Sequence, residues 1–204
     1  MTPTSSNSQP PQQTAVRFGR TTVSVVTGDV FSVGAEAIVV PANRRGMMVA
    51  GVAGHVRLRG GIDIERDIMQ QAPLALGTSV ATTPGELTKA GARMVLHAVV
   101  FDDLGGTTRM DLVEKAVASA LESADRHRVR SIVIPPIGSG VGQGRLTQDD
   151  VYATIVNAIA AHLRRFSSRI DHIYVACPGP RETRSVFALV EQAHALWWQL
   201  RTAH

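Results

Sequence analysis

The chain has 204 residues, 44% of them hydrophobic and 19% charged, which is enough to bury one globular core without staples. A single cysteine, Cys177, excludes an internal disulfide framework, fits a reducing compartment and reads as a small core hydrophobe. The net charge of +4 rests on arginine, the lysines being only Lys89 and Lys115, and so favours anionic partners. With 4% aromatic residues and no alternation of aromatic with basic side chains, nucleic acid is the weaker partner reading.

Residues 1–14 are rich in Ser, Pro, Thr and Gln and have neither a basic start nor an apolar run. A disordered tail is expected there, followed by one domain over 15–204. No apolar run approaches the roughly 20 residues of a membrane span, so a soluble, cytoplasmic protein without membrane contact is expected.

Thr22 to Thr27 alternates around Val23, Val25 and Val26 and predicts a strand that ends at Gly28-Asp29-Val30. Asp29 there can accept a hydrogen bond from an exocyclic amine or a backbone amide, although Gly-Asp is also an ordinary turn. Ala37 to Val40 predicts a second strand, stopped by Pro41, with Asn43 in the loop behind it offering a donor and an acceptor. Small residues Ala50, Gly51, Ala53 and Gly54 then open a helix through Leu58, and small residues let a backbone approach a ligand or a neighbouring sheet. Ile62 to Gln70 predicts another helix.

Gly77 to Leu87 reads as a strand with a turn at Pro84-Gly85, and Met94 to Phe101, apolar nearly throughout, as a central strand with His97 a satisfied core histidine. Asp102 and Asp103 lack a third ligand at useful spacing and are expected as solvated acids rather than a metal site. Asp111 is the expected cap of a helix lined by Leu112, Ala116, Ala120 and Ala124. Helices over about 148–166 and 182–201 and a strand over 170–176 complete the pattern. Trp197 and Trp198 are expected to pack or to enter an interface.

The chain is organised around residues 130–147. Ser131 to Ile134 is a buried strand, stopped by Pro135-Pro136, and Gly138, Gly140, Gly142 and Gly144 follow at alternate positions. Such a loop can turn successive N–H groups toward one point, and Thr147 with Asp150 predicts a helix start just beyond it. The combination is a phosphate cradle; it equally suits a plain tight connection. It is neither a Walker A loop nor a Rossmann fingerprint.

Alternating strands and helices predict an α/β fold, a three-layer α/β/α sandwich around a mixed, mostly parallel central sheet, with these loops gathered at strand ends. As a set, Gly28-Asp29-Val30, Ala37 to Asn43, Gly51 to Gly54, Gly77 to Leu87, Val95 to Ala98 and Pro136 to Gly142 resemble the macrodomain family, the ADP-ribose-binding fold, in order and spacing. The resemblance implies that Asp29 holds the adenine amine, Val30 the adjacent ring edge and Asn43 the distal ribose. Gly51, Val52 and Ala53, with Gly138, Ser139, Gly140, Val141 and Gly142, would embrace the diphosphate. The implied ligand is ADP-ribose or an ADP-ribosylated protein, with no cofactor and no metal. Implied too is an ADP-ribosyl hydrolase reaction using ordered water, with Asn43 as the catalytic candidate; its alternative is a non-catalytic module for protein contact or RNA binding.

The chain departs from the family pattern at four places. Val40-Pro41-Ala42-Asn43 stands for the family's Asn-Ala-Ala-Asn, Val49-Ala50-Gly51 for its glycine run, Ala53 for an aspartate of several hydrolytic members, and Gly142 for an aromatic over the ribose. No aromatic near Pro178 to Arg181 offers itself to adenine.

Overall fold

The computed structural model describes residues 14–138, 146–165 and 167–202. Seven strands form one sheet in the order β1-β2-β7-β6-β3-β5-β4. They are β1 (Thr14–Phe18), β2 (Thr21–Thr27), β3 (Ala37–Asn43), β4 (Ser79–Thr82), β5 (Met94–Phe101), β6 (Ser131–Ile134) and β7 (His172–Cys177). β2, β7, β6, β3 and β5 run parallel, while β1 and β4 close the two edges antiparallel. The expected mixed, mostly parallel sheet is therefore what the chain forms.

Helices α3 (Met110–Arg126), α4 (Gln148–Arg165) and α5 (Pro180–Thr202) cover one face, and α1 (Gly51–Gly60) and α2 (Ile62–Gln70) the other. Strand alternation explains the split. Along β3, Ala37 and Val39 join the α3–α5 core while Ile38, Val40 and Ala42 join the α1–α2 core; along β5, Leu96, Ala98 and Val100 face the first and Val95 and Val99 the second. Both faces are buried, so the central strands are apolar nearly throughout, with Ser24 in β2 and His97 in β5 among the buried polar exceptions.

Some elements differ from expectation. β1 begins at Thr14, opposite Val25, so one residue of the expected tail and a whole strand belong to the sheet. Pro41 does not end β3: β6 pairs with β3 only at Ala37 and Ile38, so beyond them just the β5 flank is bonded and a missing N–H is tolerated. The segment from Gly77 supplies only the four residues of β4, and Pro84 then introduces a 3₁₀ turn, Gly85–Ala90. Asp111 lies inside α3 behind Arg109, pairing with Arg109 and Lys115 rather than capping. Thr147 does cap as expected, its Oγ1 accepting the Asp150 N–H at 3.2 Å and donating to the Asp150 carboxylate at 2.6 Å. Trp197 is buried against Phe18 and Trp198 is exposed.

Candidate functional site

The carboxyl ends of β2, β7 and β6 and the first turns of α1 enclose a cleft of about 350 Å³, lined by Gly28, Asp29, Val30, Phe31, Val52, His55, Pro135, Pro136, Ala176 and Pro178. This is where a parallel α/β sheet presents a crevice, and the volume lies in the range of small-molecule pockets.

Local chemistry sets each wall. Gly28 ties β2 to β7 through its N–H and the Cys177 carbonyl at 2.8 Å, with a φ of +138° that other residues rarely adopt. The chain then turns back on Asp29, whose Oδ1 accepts the Phe31 N–H at 2.9 Å and the Ser32 hydroxyl at 3.2 Å. That Asx turn leaves Oδ2 without a protein partner among the described residues, next to the cleft. It also delivers the Phe31 ring to the cleft, where the Arg59 guanidinium sits 4.2 Å from its centroid. Val52, His55 and Arg59 lie three and four residues apart, one stripe of α1 turned toward this wall.

α1 begins without a side-chain cap: Ala50 is the N-cap residue, and the first helical bond runs from the Gly54 N–H to the Ala50 carbonyl at 3.0 Å. The N–H groups of Gly51, Val52 and Ala53 are therefore left open at the positive end of the helix, as suits an anion. Gly51 has a φ of +59° and open space where a Cβ would stand. Ala53 has its methyl buried in the α1–α2 core, so only its backbone can serve a ligand.

Asn43 stands apart from the cleft lining. Its Nδ2 donates to the Met47 carbonyl at 2.8 Å, and its Oδ1 accepts the N–H groups of Arg45 at 3.0 Å and Met47 at 3.3 Å. Its amide thus staples the loop into α1. Glu65 continues the staple, accepting the Met48 N–H at 2.7 Å and pairing with Arg57 at 2.6 Å. Asp102 and Asp103, expected as solvated acids, pair with Arg44 and Arg45 and fasten the same loop to the end of β5.

Gly138 opens the glycine loop with a φ of +93°, and a Cβ there would meet Thr108 Cγ2 at 2.8 Å, so glycine is required both by backbone and by packing. Ser139, Gly140, Val141 and Gly142 lie outside the described residues. Behind the cleft, burial pushes the Cys177 thiol up to about 11, and the Tyr152 hydroxyl donates to the Ala176 carbonyl at 3.0 Å. Cys177 is thus the expected core hydrophobe. His97 is fully buried, its Nε2 2.9 Å from the Thr82 hydroxyl; Nδ1 lacks a partner among the described residues, so the histidine is only half satisfied.

Residues 39–153 match the family model for the Macro domain. The chain belongs to that family. It is 39% identical over 120 residues to an uncharacterized protein of Aquifex aeolicus, covering 59% of this chain and 71% of that one. An uncharacterized protein of Mycobacterium tuberculosis is 34% identical over 140 residues, covering 69% of this chain but only 37% of its own length. Among solved structures, the Oceanobacillus iheyensis macrodomain with ADP superposes with a TM-score of 0.74 at 18% identity, covering 94% of this chain and 98% of that one. The Trypanosoma brucei macrodomain in complex with ADP-ribose gives 0.71 at 24%, covering 82% and 68%. These likenesses establish the macrodomain fold.

The sequence reading reached Asp29, Val30 and Val52 as residues that line the cleft. It missed Phe31, His55, Pro135, Pro136, Ala176 and Pro178. The signal for Phe31 is its place directly behind Gly28-Asp29-Val30, on the β2 side of the cleft rather than beyond β7.

Proposed function

We propose that this macrodomain binds ADP-ribose or a related ADP-ribosyl group, free or on a modified protein, in the cleft at the ends of β2, β7 and β6. The observation that carries the proposal is the joining, in one cleft, of a carboxylate, an aromatic ring and an uncapped helix start. Asp29 Oδ2 would accept the adenine amine, Val30 and Phe31 would cover the ring, and the N–H groups of Gly51, Val52 and Ala53 would meet the diphosphate. The Oceanobacillus and Trypanosoma structures, solved with ADP and ADP-ribose, support the same ligand class.

Recognition without turnover is the reading that Asn43 favours. Its Oδ1 and one of its two Nδ2 hydrogens are engaged by Arg45 and Met47, and Ala53 brings no carboxylate to the helix start. In this role Asn43 shapes the diphosphate site through the loop it holds. ADP-ribosyl hydrolysis is the second reading, resting on the family's chemistry and a water held beside the distal ribose.

Calorimetric titration with ADP-ribose and with AMP tests the proposal. The expected result is a dissociation constant of order micromolar, about −8 kcal/mol, with AMP much weaker because it lacks the diphosphate. No saturation by ADP-ribose at millimolar concentration refutes it. Incubation with an ADP-ribosylated protein then separates the readings: retention of the label supports the reader, and release supports the hydrolase.

A further inference from the structure

The opposite pole of the sheet, where the parallel strands begin, carries a different chemistry. Arg20 precedes β2, Arg93 precedes β5, and Arg128 and Arg130 precede β6. Arg169 lies ahead of β7, Arg126 ends α3, and Arg164 and Arg165 end α4. All eight are exposed. The acids beside them are Glu36, Asp125 and Asp171, a local excess of five positive charges where the whole chain has a net +4. Counting Glu122, one turn back on α3, the excess is still four.

The acids are already engaged. Glu36 pairs with Arg93 and accepts the Arg130 N–H at 2.7 Å, Asp171 pairs with Arg130, and Asp125 accepts from the Ser168 hydroxyl and the Arg169 N–H while facing His162 at 2.8 Å. These bonds also knit the pole into one surface. An Arg93 Nη1 donates to the Arg128 carbonyl at 3.2 Å, the Asp171 N–H to the Arg130 carbonyl at 2.8 Å, and the Thr22 N–H, two residues beyond Arg20, to the Asp171 carbonyl at 2.8 Å. Among the described residues, no carboxylate pairs with Arg20, Arg126, Arg128, Arg164, Arg165 or Arg169.

We propose that this pole binds the phosphodiester backbone of duplex nucleic acid, on the side of the molecule away from the nucleotide cleft. From the start of β2 to the start of β5 the surface crosses four inter-strand gaps, roughly 19 Å at about 4.8 Å each. That span is wide enough to meet phosphates on both sides of a groove. Guanidinium groups suit phosphate, offering bidentate donors and a weakly held hydration shell. The scarcity of aromatics argues against single strands, which need stacking platforms, and leaves backbone contact untouched. Binding is therefore sequence-independent and driven by counterion release.

The experiment is fluorescence anisotropy of a labelled 20-base-pair DNA duplex with the full chain, titrated at a series of salt concentrations. Wild type is expected to bind at low salt and to weaken steeply as salt rises. Combining Arg20→Ala, Arg126→Ala, Arg165→Ala and Arg169→Ala is expected to cost about tenfold or more and to flatten the salt slope, each lost phosphate contact removing about 0.9 from it. The matched variant Arg66→Ala, Lys115→Ala, Arg109→Ala and Arg184→Ala, with the same charge change elsewhere, is expected to bind as wild type. Replacing the four pole arginines by lysine keeps the charge and retains most binding, which guards against a folding defect in the alanine variant. No binding at low salt, equal losses in the two alanine variants, or tighter binding to polyglutamate than to the duplex would each overturn the proposal, the last in favour of an acidic protein partner.

Discussion

The layer of α3, α4 and α5 meets the sheet through long apolar stripes, with Val113, Val117, Leu121, Ile155, Ile159 and Val190 buried among strand residues. The layer of α1 and α2 is smaller, and its connection from β3 is held by polar ties: Asn43 to Met47, Glu65 to Met48 and Arg57, Arg45 to Asp103. Apolar burial is non-directional and makes stability; hydrogen bonds fix where a backbone points. Both faces carry an apolar core, but only on the α1–α2 face do polar ties fix the loop that leads into the cleft wall. Substitutions on the two sides should therefore fail in different ways.

Leu121→Ala should have the largest effect. Removing a fully buried leucine from the α3 stripe is expected to cost about 3 kcal/mol by cavity formation, read as a lower midpoint in urea, while ADP-ribose affinity at native temperature stays unchanged. A parallel loss of affinity would break the division.

Glu65→Ala should cost less stability, about 2 kcal/mol after allowing for the half-exposed Arg57, and unlike the core change it should also weaken ADP-ribose, because the Met48 N–H loses its acceptor and the entry to α1 loosens. Calorimetry and denaturation on the same sample check both halves. Unchanged affinity would show that the loop holds its shape without the carboxylate.

Acid sensitivity probes the sheet itself, through His97 in β5. Burial pushes His97 down to about 3, so the folded protein keeps it neutral while the unfolded chain protonates it near 6.5. Stability from this source is fully present above pH 6.5 and is withdrawn as the pH falls toward 3, by about 2 kcal/mol between pH 7 and pH 5. His97→Gln, which cannot titrate, should show a flatter dependence of stability on pH over that interval. Identical slopes would mean that His97 is not held neutral.

Phe31→Ala should have the smallest effect on the fold and a selective one on the site. Its ring lines the cleft under Arg59, so the substitution is expected to leave the unfolding midpoint within about 0.5 kcal/mol while weakening ADP-ribose by about 1–2 kcal/mol. An unaltered dissociation constant would remove Phe31 from the adenine wall.

Most of the fold was legible because the central strands announce themselves: β5 and α2 have the bounds their apolar patterns imply, and the Thr147 cap stands where its Asp150 partner pointed. β1 escaped because Thr14 to Phe18 is short, half exposed and adjoins a polar segment, so only its pairing with β2 identifies it. Pro41 misled because a proline signals a lost N–H but not whether a neighbouring strand needed it. In the site, Asp29 was readable from the turn it makes, whereas the cleft's Pro178 and His55 come from distant segments whose meeting depends on the parallel order of β2, β7 and β6. Asn43 carried the family's expectation of a ribose contact, yet three local hydrogen bonds decide its orientation, and nothing in a linear sequence ranks those partners above a ligand.

Backbone amide NMR during titration with ADP-ribose shows whether the end of β2 and the start of α1 form one ligand site. Saturating shifts are expected at Gly28, Asp29, Val30 and Phe31 together with Gly51, Val52 and Ala53, while the amides of Arg93, Arg128 and Arg169 at the far pole stay still. Shifts confined to one of the two segments, or centred on the far pole, would contradict that single site.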